Sequence, residues 1–253
     1  MLLKLSYLGK SFHGYAFQPG LRTVEGELKR ALRELSFSGK LKVASRTDRG
    51  VSALFNVVFL DFLKFPLEDL CRALSSKLKD IWIYGFSEID SLKPKKKHYI
   101  YFLPSENHDL SKIEKACEII SGRHDFTNFC ILEKGKPERE LEVFPEFRED
   151  LILLNFYARS FLWQQVRRIS QAISEVGLLR MEISEIEDLL SLKSSKKPSP
   201  APPENLLLYH LEYDFEFKNV EHVSKIMKRR FTEEFYTSLV KKAIFLEMVK
   251  RLP

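Results

Sequence analysis

Two apolar periodicities alternate along this chain, each in short runs, and that alternation is what most restricts the fold. Residues 2–8 alternate at the two-residue period of a strand. Val24, Leu28, Ala31, Leu32 and Leu35 then recur at helical spacing behind Thr23, with Glu25 and Glu27 suited to the positive end of a helix. Strand-like runs follow at 41–46 and 54–62. A second helix begins near Pro66 and buries Leu67, Leu70, Cys71, Leu74 and Leu78, and a strand follows at 81–87. The second half repeats the plan. It has a strand at 98–103 and a helix over 112–121 with Ser111 and Glu114 as a capping box and Gly122 as its stop. Strands at 141–147 and 151–158 precede a helix from Phe161 to Val176, and "SEIEDLLSL" forms a shorter one. "KSSKKPSPAPPEN" cannot be regular structure. Beyond it, Leu207 to Phe217 alternate with polar residues as a half-buried strand.

Hairpin-scale connections and segregated helices predict an α+β fold: two similar lobes of mainly antiparallel sheet flanked by helices. The expected division is residues 1–103, residues 104–217 and a basic helical tail from 218 to 253. No stretch reaches the roughly eighteen apolar residues of a membrane span, and the amino terminus does not read as a signal peptide. Cys71, Cys117 and Cys130 are widely spaced, and the six histidines show no metal-ligand spacing. The expectation is a reduced, cytoplasmic protein without metal or cofactor.

The formal charge is +6, enough to raise the question of a polyanionic partner. It is unevenly placed. "KPKKK" at 93–97 holds four lysines and no acid, and the last 36 residues hold nine Lys/Arg against four Glu. Solvated loops and a solvated helix face account for such runs equally well.

Asp48 is the residue with the clearest chemical promise. In "ASRTDRGVSA" it follows a β-rich run, sits between Arg46 and Arg49 and precedes Gly50. A carboxylate so placed is either a reagent or part of a turn whose charges face water, and the local pattern leaves both open.

The wider sequence resembles the TruA-type tRNA pseudouridine synthases. "ASRTDRGVSA" is similar to their R-T-D-x-G-V signature. "YLGKSFHGYAFQP", "RTVEGEL", "KKHYIYFLP", "ISGRHDFTNFC", "FYARSFLWQQVRRISQAISEVG" and "APPENLLL" are similar to further blocks in the family's order, covering roughly residues 3–213. The resemblance implies the pseudouridine synthase fold with a central basic cleft, and an enzyme that isomerises uridine to pseudouridine in the tRNA anticodon arm. It implies Asp48 as nucleophile, Arg167 as its cation, Arg46 as the residue displacing the target base and Tyr99 as the ring over the uracil that moves the C5 proton. Leu206 becomes an apolar wall. The resemblance also implies a homodimer as the working form, and the lysine run itself offers Lys95, Lys96 and Lys97 as phosphate contacts.

Residue by residue there are bland readings as well. Tyr99 could be strand packing and Leu206 a core leucine, whereas Arg167, on the flank of a buried stripe, needs a partner in any case. Leu8, Tyr15, Arg49, Ser52, Trp163 and Gln164 depart from the family pattern. A noncatalytic RNA-binding protein of the same fold and a metal-dependent nuclease using Asp48, Asp61 and Asp125 are the alternatives.

Overall fold

The structure is a computed structural model that describes residues 1–37, 39–61, 65–89, 91–133 and 135–251. Phe62, the expected end of a strand, and Leu252, within the expected helical tail, lie outside them. In chain order the elements are β1 (Leu2–Tyr7), α1 (Val24–Glu34), β2 (Leu41–Val43), β3 (Ser52–Leu60), α2 (Leu67–Lys77), β4 (Ile81–Ser87), β5 (Lys96–Pro104) and α3 (Leu110–Ile120). They continue with β6 (Gly122–Asp125), β7 (Glu138–Arg148), β8 (Leu151–Ala158), α4 (Gln165–Gly177), α5 (Ile183–Leu190), β9 (Leu206–Glu212), β10 (Lys218–Asn219) and α6 (Glu221–Arg251).

The strands form one sheet in the order β10-β4-β1-β3-β9-β5-β8-β7-β6, with β2 pairing to β3. Every pairing among the described residues is antiparallel except β3 with β9, which are parallel through Ser52 opposite Leu207 and Ala53 opposite Leu208. That short pair joins β10, β4, β1, β3 and β2 on one side to β9, β5, β8, β7 and β6 on the other, so β5 lies across the join from the strands that precede it in the chain and β10 across it from those just before. Helix α2 packs on β4 and α1, and α3 packs on β7, α4 and α5. Fully buried Leu3, Leu5, Val57, Ile83, Ile120, Phe156 and Ile169 mark a core on both sides of the join.

Local chemistry explains most boundaries. Thr23 caps α1, its side chain accepting from the Gly26 amide at 3.2 Å. Helix α3 starts earlier than its sequence suggests, because Asp109 and not Ser111 caps it. The Asp109 carboxylate accepts from the Lys112 amide at 3.1 Å and from the Ser111 hydroxyl at 2.9 Å, so the expected Ser111–Glu114 box does not form. Gly122 does follow the end of the helix, at φ +106°, and there it opens β6.

Helix α4 begins at Gln165, four residues later than expected. Trp163 is held in a β-bridge to Ile131, Gln164 takes φ +62°, and the Gln165 side chain accepts from the Leu162 amide at 2.8 Å. The expected strand at 207–217 ends at Glu212. Tyr213, Phe215 and Phe217 leave the sheet and pack on one another at tilted and edge-on angles, with Phe217 edge-on to Phe55. Alternation persists across that break because every second residue is an aromatic that is still partly buried, while Asp214 and Glu216 between them are exposed.

The segment between β2 and β3 has no regular structure and is fixed from outside. The Tyr15 amide donates to the Thr47 carbonyl at 3.0 Å, and the Gly9 amide to the Ser52 hydroxyl at 3.0 Å. Gly50 turns the chain at φ +84°. A Cβ on Gly9 would lie 2.2 Å from the Gly50 carbonyl oxygen, so only glycine fits there. Helix α6 docks Val223 and Met227 on the body, sets Phe231 edge-on to Trp82 at 5.3 Å, and pairs Arg230 with Glu234 at 2.7 Å. Among the described residues no helix is long and apolar enough to cross a membrane.

Replacing Gly9 by Ala should therefore destabilise the fold by about 1–3 kcal/mol through overpacking. At roughly 2–4 °C per kcal/mol for a chain of this size, a thermal melt would show it directly. A native melting midpoint would mean the 46–51 segment does not rest on this contact.

Candidate active site

Asp48 lies at the wall of a cleft of about 1010 Å³ formed where the two halves of the sheet meet. It is reached from the 13–21 loop, the 43–51 segment, β5, the 161–167 segment and residues 203–206. The 43–51 segment is extended enough that side chains alternate. Ser45 and Thr47 turn inward and are buried, while Arg46 is exposed and Asp48 faces the cleft, about a quarter of its side chain accessible. Thr47 is locked by a 2.8 Å hydrogen bond with the Tyr7 hydroxyl. Burial raises the Tyr7 phenol to about 12, so it remains a neutral partner.

Both Asp48 oxygens are held by residues of the carboxyl-terminal half. Arg167 Nη1 donates to Oδ2 at 3.0 Å, and the Trp163 indole Nε1 donates to Oδ1 at 3.0 Å. The arginine is positioned in turn, its Nε donating to the Ala201 carbonyl at 2.7 Å. Its neighbour Arg168 donates to the Pro198 carbonyl at 2.5 Å. The proline-rich segment thus has a structural task despite lacking regular structure: its carbonyls orient the first turn of α4. The partner that Arg167 requires is Asp48.

Tyr99 sits on β5 opposite Phe156 and Leu208, its ring edge-on to Phe161 at 5.2 Å. Its hydroxyl is 3.0 Å from the Ser45 hydroxyl, and burial raises its pKa well above the ordinary phenol value. Leu206, the first residue of β9, lies opposite Tyr101 and is buried in the cleft wall.

The three lysines do not act as a set. Lys95 pairs with Asp214 and Lys96 with Glu142, both at the surface. Lys97 instead turns into the cleft wall, donating to the Ala44 carbonyl at 2.9 Å and contacting the Ser45 hydroxyl at 3.0 Å. Burial lowers its pKa to about 8. Asp48, Asp61 and Asp125 come together in no group able to hold a metal ion among the described residues.

Three residues of the site escape sequence reasoning. Trp163 registers only as a departure from a family pattern. Phe161 registers only as the expected start of a helix and within a family block, and Ser45 carries no signal of its own, although the alternation of hydroxyl and charged residues in "SRTD" marks Ser45 and Thr47 as one face.

Comparison with known proteins agrees with the geometry. Residues 116–214 match the family model described as tRNA pseudouridine synthase. The tRNA pseudouridine synthase A of Thermococcus kodakarensis is 39% identical over 260 residues, covering 97% of each chain. That of Thermococcus sibiricus is 41% identical over 255 residues, covering 96% of each. With relatives this similar along nearly its whole length, the chain belongs to the tRNA pseudouridine synthase A family and is an isomerase that forms pseudouridine in tRNA.

Proposed function

We propose that this enzyme acts on uridines on the 3′ side of the tRNA anticodon arm, with Asp48 as its nucleophile. The observation that carries this reading is the ion pair between Asp48 and Arg167, made in a cleft that also presents Tyr99 and Leu206. The reaction breaks the N1 glycosidic bond, turns the uracil and rejoins it to C1′ through C5. The base must first leave its stack. Arg46, exposed at the cleft, would fill the space vacated in the RNA.

Asp48 then adds to the base or to C1′. Arg167 supplies the countercharge in a site partly closed to water. Leu206 and the Tyr99 ring confine the detached uracil while it turns, and the Tyr99 hydroxyl receives the C5 proton. This chemistry needs one carboxylate, one proton acceptor and a closed pocket, all from the chain's own residues.

Lys95 and Lys96 would position the RNA by its phosphates, which must displace their present acidic partners. The resemblance also implies a homodimer. Phe235, Leu239, Ile244 and Phe245 of α6 are exposed and would suit such contact.

Incubating the purified enzyme with unmodified tRNA and a chelator, then mapping pseudouridine by sequence, tests the reading. Product in the anticodon arm is expected, and product confined to another arm would contradict it. Tyr99→Phe should bind tRNA normally yet form product about 10²–10⁴-fold more slowly; a native rate would reduce Tyr99 to packing. Replacing Lys95 and Lys96 by Ala should flatten the salt dependence of tRNA affinity by roughly 0.7–0.9 per lost phosphate contact, and an unchanged slope would leave them to Asp214 and Glu142. Sedimentation should give twice the 29.7 kDa chain mass, whereas a single-chain mass would contradict the dimer.

A further inference from the structure

Tyr99 raises a chemical problem that the proposed mechanism does not solve by itself. A buried phenol with its pKa pushed up is a neutral hydroxyl, and it cannot keep a second proton. To accept the C5 proton it must pass its own proton on as that proton arrives. Among the described residues the hydroxyl has one hydrogen-bond partner in position, Ser45 Oγ at 3.0 Å, and Ser45 Oγ lies 3.0 Å from Lys97 Nζ. The three groups form a continuous chain along the cleft wall.

We infer that Lys97, acting through Ser45, is the terminal proton acceptor for C5 deprotonation by Tyr99, an inference that rests on the pseudouridine synthase reading above. The step balances. The C5–H bond breaks and its electron pair forms the C5–C6 double bond. In exchange C6 gives up its π bond to N1, which keeps that pair and takes a proton from water, or, in a C6 adduct, its bond to the Asp48 oxygen, which keeps the pair. The C5 proton goes to Tyr99 Oη. The phenolic proton moves to Ser45 Oγ, and the serine proton moves to the lone pair of Lys97 Nζ, leaving an ammonium. Lys97 lines the cleft, so this proton returns to water there once product leaves.

The surroundings favour a neutral amine. Lys97 pairs across the sheet with Leu211 on β9 and Ala158 on β8, both apolar. The charged groups sharing its cleft are Arg46, Asp48 and Arg49 from the β2–β3 segment, Arg167 from α4, and Glu133 and Glu204 from the adjoining loops. None of them forms an ion pair with Lys97 among the described residues, and burial alone lowers its pKa to about 8. Lys97 Nζ donates to the Ala44 carbonyl and to Ser45 Oγ; once the amine is neutral, its lone pair can accept from the Ser45 hydroxyl instead. Ser45 is itself fixed, because the Asn56 side-chain amide donates to its carbonyl at 2.7 Å. A lysine aimed at RNA phosphate would be solvated and charged; this one is neither free to reach out nor comfortably cationic.

The sign of the pH dependence follows. Below about 8 Lys97 is charged and the relay is blocked; above it the amine is free. The test is single-turnover pseudouridine formation from about pH 6 to about pH 9, with tRNA carrying hydrogen or deuterium at uridine C5. The wild-type rate should rise with pH through about 8 and then level. Lys97→Arg stays cationic and cannot accept a proton. It should lose that limb, slow by about 10²–10³-fold, show a primary isotope effect and retain tRNA affinity. Ser45→Ala breaks the chain in its middle and should show the same isotope effect, which keeps the test decisive if Lys97→Arg does not fold. Native rate and pH profile in either folded variant, or slowing without an isotope effect, overturns the relay. A wild type that forms no pseudouridine at any pH overturns the parent reading and the relay with it.

Discussion

The contact on which the site depends is the ion pair between Asp48 and Arg167, because its partners come from opposite halves of the sheet, 119 residues apart in the chain. Bringing a carboxylate and a guanidinium out of bulk water is costly, and their attraction offsets that cost only where further hydrogen bonds satisfy both groups. Trp163 on the second carboxylate oxygen and the Ala201 carbonyl on Arg167 Nε supply those bonds. The pair therefore fixes the joint between the halves as well as the proposed nucleophile.

Each partner is aimed by backbone and not by flexible reach. Asp48 sits on a segment without regular structure, held by the Tyr15 amide, by Thr47 against Tyr7, and by glycine contacts too close for any Cβ. Arg167 stands in the first turn of α4, steered by carbonyls of a proline-rich segment that has no helix or strand to satisfy them. The parallel β3–β9 pair brings these two supports together and places Leu206 at the cleft edge. A rigid positioning of this kind is what a reaction needs when the base must be detached, turned and recaptured without escaping.

Much of this was legible from sequence where the physics is local. The Thr23 cap, the buried stripe of α1, the Gly122 helix stop and the strands around Tyr99 follow from short-range periodicity and capping. The requirement that Arg167 find a partner was readable from its place beside a buried stripe, although the identity of that partner is a long-range fact. Errors arose where tertiary contact overrode pattern. Asp109 displaced Ser111 as a cap, the Trp163–Ile131 bridge delayed α4, and an unbroken alternation past Glu212 hid the point where the chain leaves β5. Lys97 could not have been separated from Lys95 and Lys96 by composition, since only pairing register decides which lysine of a run faces the cleft.

The central claim is that the Asp48 carboxylate carries the chemistry and contributes little to docking. Asp48→Asn keeps the size and much of the hydrogen bonding of the side chain while removing its charge. The decisive measurement is tritium release from C5-labelled uridine in unmodified tRNA, with chelator present, alongside tRNA affinity for the same variant. The account predicts release by the wild type, none by Asp48→Asn, and comparable affinity for both. Sustained release by the purified Asp48→Asn protein would contradict it.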